Sequence, residues 1–137
     1  MTTETLSKES AQAVAYFEGK LAFEIGPVEV KMGKERGEKF QIIDLRTPEL
    51  FAKGHVPGAV NVSYETLEAH LPKLDKEVTS VVYCYDILCH LSAKAALLLA
   101  KKGYKVRELS GGWDGWVERK FAVEGEATKS SCSSSCG

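Results

Sequence analysis

Ser80-Val81-Val82-Tyr83-Cys84 is an almost unbroken apolar run, and shortly past its end His90 opens a stretch rich in Ala, Leu and Lys that reaches Lys102 and stops at Gly103. A short run without polar alternation reads as a strand buried on both faces, as parallel strands are. The stretch that follows reads as a helix, because two lysines suit the negative end of its dipole and Gly103 suits the position just past it. It is nearly apolar all round, which predicts a helix sandwiched between sheet and neighbours. The segment Cys84 to His90 is then a loop at the carboxyl end of a strand, the edge where open α/β sheets bind ligands.

Phe40-Gln41-Ile42-Ile43-Asp44 is a second β-branched run and brings Asp44 to the same edge. Between the two strands, Pro48 to Lys53 and Tyr64 to Leu71 read as helices, while Gly54-His55-Val56-Pro57-Gly58 must turn tightly. Tyr104 to Leu109 reads as another strand, and Gly111-Gly112-Trp113-Asp114-Gly115-Trp116 turns into a last helix ending near Lys120. Upstream, Ser10 to Glu18 has the spacing of a short amphipathic docking helix, with Ser7 as its cap. Lys20 to Ile25 alternates as an edge strand, and Gly26-Pro27 ends it before a charged helical segment running to Gly37. Strand and helix alternate, which predicts an α/β fold with a mostly parallel sheet covered on both faces. The expected organisation is a helical extension over 1–19, the α/β domain over 20–124 and a small, polar tail over 125–137 that carries Cys132 and Cys136.

The chain has 137 residues, enough for one ordinary domain. Apolar residues make up 44% and charged residues 27%, the balance of a globular protein that folds by itself. With 18 basic and 19 acidic residues the net charge is −1, so no broad attraction to nucleic acid or anionic lipid is expected. The N-terminus lacks the basic start and apolar run of a secretory signal, and no stretch is long and apolar enough to span a bilayer. A cytoplasmic location is therefore expected, where four cysteines stay reduced and serve catalytic, redox or metal chemistry rather than a disulfide framework.

Cys84 closes a strand just ahead of a helix N-terminus, where unpaired amides and the positive dipole end favour an anionic sulfur and a lowered thiol pKa. From spacing alone a second reading stands beside it: free cysteine is among the most buried residue types and can be a simple hydrophobe. Cys132 and Cys136, three serines apart, fall short of the four ligands of a structural zinc, so neither a metal nor another cofactor is expected.

Three separated stretches resemble rhodanese-like domains. Asp44-Leu45-Arg46-Thr47-Pro48-Glu49-Leu50-Phe51 with Gly54-His55-Val56-Pro57-Gly58-Ala59-Val60-Asn61 is similar to the family's first signature. Tyr83-Cys84 resembles its active-site strand, and Leu109-Ser110-Gly111-Gly112-Trp113 with Trp116 its closing signature. Three motifs in order over Leu21 to Val123 are far more specific than one. The resemblance implies a five-stranded parallel sheet flanked by helices and transfer of sulfane sulfur through a cysteine persulfide. It places Cys84 on the persulfide-forming cysteine and Asp44 and Arg46 on a pair that braces the site, where a buried aspartate beside an arginine is normally architectural. His55 reads as a satisfied turn histidine, His70 as a surface residue, and Trp113 and Trp116 as packing.

The loop departs from the family's usual pattern. Family loops commonly have six residues with a basic one near the end, whereas Cys84-Tyr85-Asp86-Ile87-Leu88-Cys89-His90 has seven. Seven is the length in rhodanese-fold phosphatases and arsenate reductases, yet those end on an arginine that clamps three oxygens, and here His90 stands in that place. Imidazole offers at most two donors and Asp86 adds negative charge, which counts against a tightly held oxyanion and against thiosulfate as natural donor. The expected donor is a small sulfur compound or a persulfide-donating protein, and the expected acceptor a thiol or a sulfur-carrier protein, with Tyr85, Asp86, Ile87, Leu88 and His90 forming the substrate loop. Cys89 resembles the second cysteine of family members with paired loop cysteines and would resolve the persulfide into a disulfide; a loop cysteine turned into the core is the plain alternative. The thiols of the tail could pass sulfur to or from the loop. A non-catalytic module that uses Cys84 and Cys89 as a redox pair ranks second, and an oxyanion enzyme third.

Overall fold

A computed structural model describes residues 5–86 and 88–126. Ile87, Cys132 and Cys136 therefore lie outside the described residues.

The elements are, in chain order, α1 (Lys8–Phe23), β1 (Glu24–Ile25), α2 (Pro27–Glu35), β2 (Phe40–Asp44), α3 (Pro48–Lys53), β3 (Val60–Asn61), α4 (Tyr64–His70) with a 3₁₀ turn over Leu71–Lys73, β4 (Thr79–Tyr83), α5 (Leu91–Lys101), β5 (Val106–Leu109) and α6 (Gly112–Glu118). The five strands form one sheet in the order β1-β5-β4-β2-β3, and every pairing is parallel. Ile42, Val81 and Tyr83 face one side of the sheet and pack with Ile25, Val30, Val56 and Trp116. Ile43 and Val82 face the other, against Leu67, Leu71, Ala95 and Leu99 from α4, the turn after it and α5. Each pair of consecutive β-branched residues thus serves two cores, which is why the central strands carry no polar alternation.

Register sets the functional edge. Asp44 is paired with Tyr83 at the carboxyl ends of β2 and β4, and Cys84 is the first residue beyond β4.

Three expectations need correction. The sequence predicts a strand over Lys20–Ile25, but α1 continues through Gly19 to Phe23 and leaves only Glu24–Ile25 to pair with β5. Lys20, Leu21 and Ala22 are good helix formers, and Lys20 closes an ion pair with Glu24 at 2.7 Å across the last turn. The residue-19 boundary consequently falls inside a helix, none of whose residues is buried. The short strand β3 goes unread in the sequence because it follows a tight loop and has only two residues. Finally, α5 is not sandwiched: Ser92, Ala95 and Leu99 are buried, whereas Leu97 is 56% exposed.

Candidate functional site

Cys84 is 1% exposed. Its position is fixed by the first turn of α6, where the Trp113 amide donates to the Cys84 carbonyl at 3.0 Å and the Asp114 amide to the Tyr85 carbonyl at 2.9 Å. That approach is possible because residue 112 is glycine. Its φ is +59°, and a Cβ there would lie 3.0 Å from the Cys84 carbonyl oxygen and 3.1 Å from the Asp86 nitrogen. Both the left-handed backbone and the close contact exclude a side chain.

Beyond Cys84 the loop folds back on itself. The Asp86 carboxylate accepts the Leu88 amide at 2.9 Å, and its carbonyl accepts the Cys89 amide at 3.2 Å. This local closure returns Cys89 to the neighbourhood of Cys84, where its thiol acts on the Cys84 pKa, and both are free cysteines. Tyr85 and Leu88 point to solvent.

The electrostatics differ from the sequence expectation. Burial pushes the Cys84 thiol up to about 12, the Cys89 thiol adds to the rise, and the Tyr85 backbone amide pulls the other way. Charge on Asp44 raises it further. Desolvation wins because a single amide contact does not replace the water an anionic sulfur loses. The resting sulfur is a protonated thiol, not the thiolate that the helix terminus suggests.

A polar cluster braces the site from beneath. Arg46 donates to Asp44 through Nε (3.1 Å to Oδ1) and Nη2 (2.8 Å to Oδ2), and Nη2 also donates to the Gly54 carbonyl at 2.6 Å. The Tyr83 hydroxyl donates to Asp44 Oδ2 at 2.5 Å and accepts the Val56 amide at 3.1 Å. Trp113 stacks over the Arg46 guanidinium with 4.3 Å to the ring centre. Both charged side chains are buried, so the array holds β2, β4, the Gly54–Val56 turn and α6 in one geometry. Burial opposes the Arg46 charge, but its hydrogen bonds and attraction to Asp44 outweigh that and raise its pKa.

His55 is a satisfied turn residue: Nδ1 donates to the Phe51 carbonyl at 2.8 Å and the ring stacks on Phe51. His70, expected on the surface, is half-buried at the end of α4. Trp116 is buried in the core, whereas Trp113 has the further contact with Arg46. His90 is exposed and caps α5, and together with Asp86 and Cys89 it lines a cavity facing α1.

The rhodanese-like domain model matches residues 27–119. The chain belongs to the rhodanese-like domain family. Among curated relatives it is 30% identical over 93 residues to the thiosulfate sulfurtransferase GlpE of Pseudomonas aeruginosa, covering 67% of this chain and 81% of that one. Among solved structures it is similar to the BH2092 protein of Bacillus halodurans, with a TM-score of 0.78, 28% identity and coverage of 86% and 88% of the two chains. It is also similar to the Alr3790 protein of Anabaena, with a TM-score of 0.68, 29% identity and coverage of 74% and 80%. No described helix of this rhodanese-like chain is long and apolar enough to cross a membrane.

Within this rhodanese-like site, sequence reasoning missed two residues. Tyr83 was legible as a strand residue, yet a tyrosine in an otherwise apolar buried run needs a hydroxyl partner, and that need points to a nearby polar group. Gly112 carries the signal of a Gly-Gly pair before a helix, but which backbone it approaches is a tertiary fact.

Proposed function

We propose that this protein is a sulfurtransferase that takes sulfane sulfur onto Cys84 as a persulfide and delivers it to a thiol or sulfur-carrier protein. The observation that carries this reading is the placement of Cys84 just past the end of β4, its carbonyl fastened to α6, with a second cysteine on the same loop near enough to influence its thiol. A sulfane donor R–S–SH supplies its outer sulfur: the Cys84 thiolate attacks that atom, the donor S–S bond breaks, and R–S⁻ takes up the proton Cys84 gave up. Because resting Cys84 is protonated, the step requires the thiol's proton to leave, and a donor that displaces the Cys89 thiol removes one of the interactions that hold it. Cys89 is then placed to attack the Cys84 sulfur, which releases hydrosulfide and leaves a Cys84–Cys89 disulfide.

An oxyanion enzyme is disfavoured. Arg46 is the buried arginine beside Tyr83 and Trp113, and its guanidinium is committed to Asp44, Gly54 and Trp113. The second reading, a redox module cycling between two thiols and a disulfide, is favoured by that same proximity of Cys89 to Cys84. Transfer of sulfur to cyanide in the presence of a polysulfide donor separates the two. Sulfur transfer predicts thiocyanate formed in multiple turnovers well above the uncatalysed reaction of cyanide with polysulfide, and only that background in Cys84→Ser, whereas a redox module forms the disulfide and adds nothing to the background. The transferring unit is the α/β domain to residue 124 together with α1, which runs unbroken across residue 19 and forms one wall of the site, and the tail from 125 is dispensable to the chemistry of the loop.

A further inference from the structure

Between α1 and the loop lies a cavity of about 300 Å³. Its floor is the end of β5 at Glu108 and Leu109 with Ser110 and Gly111 just beyond, one wall is Tyr16, Lys20 and Glu24, and the other is Asp86, Cys89, His90 and the start of α5. Cys84 does not line it; Cys89 does, and its thiol is the neighbour that acts on the Cys84 thiol. The cavity is thus the space from which a small molecule reaches the reacting pair of sulfurs, at the lower end of the volumes that hold small ligands.

Its charge is lopsided. Lys20 is held by Glu24 at 2.7 Å, and the other Glu24 oxygen accepts the Ser110 hydroxyl at 3.1 Å. Glu108 accepts the Ser92 hydroxyl at 2.5 Å and Asp86 the Leu88 amide at 2.9 Å. Among the described residues neither Glu108 nor Asp86 has a cation within ion-pair distance, while Lys20, the one lysine on the cavity wall, is already paired with Glu24. Lys20 also feels the Glu108 charge, yet it is one cation against the carboxylates of Glu24, Glu108 and Asp86; that excess in a partly enclosed space repels a dianion and attracts an ammonium group, more strongly than at an open surface.

Resting on the persulfide reading above, we propose that this cavity is the acceptor subsite and that it selects small thiols carrying an ammonium group. The ammonium sits between Glu108 and Asp86 and the thiol lies toward Cys89. The acceptor thiolate attacks the outer sulfur of the Cys84 persulfide, the persulfide S–S bond breaks as a new S–S bond forms in the acceptor, and the acceptor's proton goes to the released Cys84 thiolate. Sulfane sulfur changes carriers without net oxidation.

The test begins with full-length protein loaded by polysulfide, with the persulfide on Cys84 verified by mass. Its discharge is then timed with cysteamine, 2-mercaptoethanol and thioglycolate, which are cationic, neutral and anionic thiols of similar size, each rate being corrected for its thiolate fraction. The expected order is cysteamine, then mercaptoethanol, then thioglycolate, with the spread between first and last shrinking as salt is added. Glu108→Gln and, separately, Asp86→Asn should each narrow that spread by roughly fivefold, read as a ratio among the three thiols on whatever persulfide the variant carries, so that a change in sulfur uptake cancels. The second variant is on the loop and does not touch the Ser92 contact, so a folding defect in the first leaves the test intact. Equal rates for the three thiols, an anionic preference, or a spread unchanged in both variants overturns the acceptor subsite while leaving sulfur transfer standing. Failure of the wild-type chain to take up sulfur overturns both.

Discussion

Cys89 stands close enough to Cys84, across the loop that joins β4 to α5, for its thiol to raise the Cys84 pKa. This interaction favours the protonated form of Cys84 and adds to burial, so Cys84 rests as a thiol although it stands ahead of a helix start. Reactivity is accordingly governed by what enters the loop rather than by a standing thiolate.

This arrangement predicts a pH dependence with a definite sign. A thiol titrating at about 12 gains thiolate about tenfold per pH unit below that value. Alkylation of Cys84 by iodoacetamide, followed by peptide mapping, should therefore climb steadily from pH 7 to 10 with no plateau. Cys89→Ala removes the neighbour that favours the proton and loosens the packing, so its profile should move to lower pH. A plateau near neutrality in the wild type, or identical profiles, contradicts the description of the site.

Tyr83 makes a second prediction. Tyr83→Phe removes the donor to Asp44 and leaves the Val56 amide without its buried acceptor, a loss of about 1–3 kcal/mol in chemical denaturation. The buried phenol has its pKa raised, first by desolvation and then by the Asp44 charge. An unfolded tyrosine ionises near about 10. The contribution of Tyr83 is thus complete below that pH and is lost above it, because the unfolded chain is the better one at releasing the proton. Tyr83→Phe should lose less stability than the wild type between about pH 9 and 11. Equal declines would show that the phenol ionises in the folded state as readily as in the unfolded one.

The architecture of the sheet was readable because its central strands are two-sided: Ile42-Ile43 and Val81-Val82 can only be buried runs, and the Pro48–Lys53 helix is bracketed by proline and glycine. The rhodanese-like signatures then located Asp44, Arg46 and Cys84 in one place. What the sequence concealed is tertiary. The protonation of Cys84 depends on how much water its pocket excludes, and the helix dipole alone argues in the opposite direction. The continuation of α1 over Lys20–Phe23 turns on a helix-closing ion pair that a period-two reading overlooks, and the cavity exists only because that helix continues.

Gly112 gives a prediction that separates positioning from folding. In Gly112→Ala the new Cβ meets the Cys84 carbonyl and the Asp86 amide, and the positive φ adds strain of about 1 kcal/mol or more. The loop must move off α6, so sulfur uptake by Cys84 should fall by at least tenfold, roughly the effect of an ångström of misplacement or less. Gly103→Ala, also at positive φ but with its nearest new neighbour the flexible tip of Lys76 at 3.7 Å, should cost comparable stability and leave uptake unchanged. Equal losses of uptake in the two variants would reduce Gly112 to a general backbone requirement.

The central claim is tested most directly by intact-mass spectrometry of the full chain after exposure to polysulfide under non-reducing conditions. The expected result is an adduct of about 32 Da, the mass of one sulfur atom and the covalent intermediate itself, mapped to Cys84, absent in Cys84→Ser and longer-lived in Cys89→Ser. An adduct retained in full by Cys84→Ser, or a wild-type chain that gains only the Cys84–Cys89 disulfide and never the added sulfur, would contradict it.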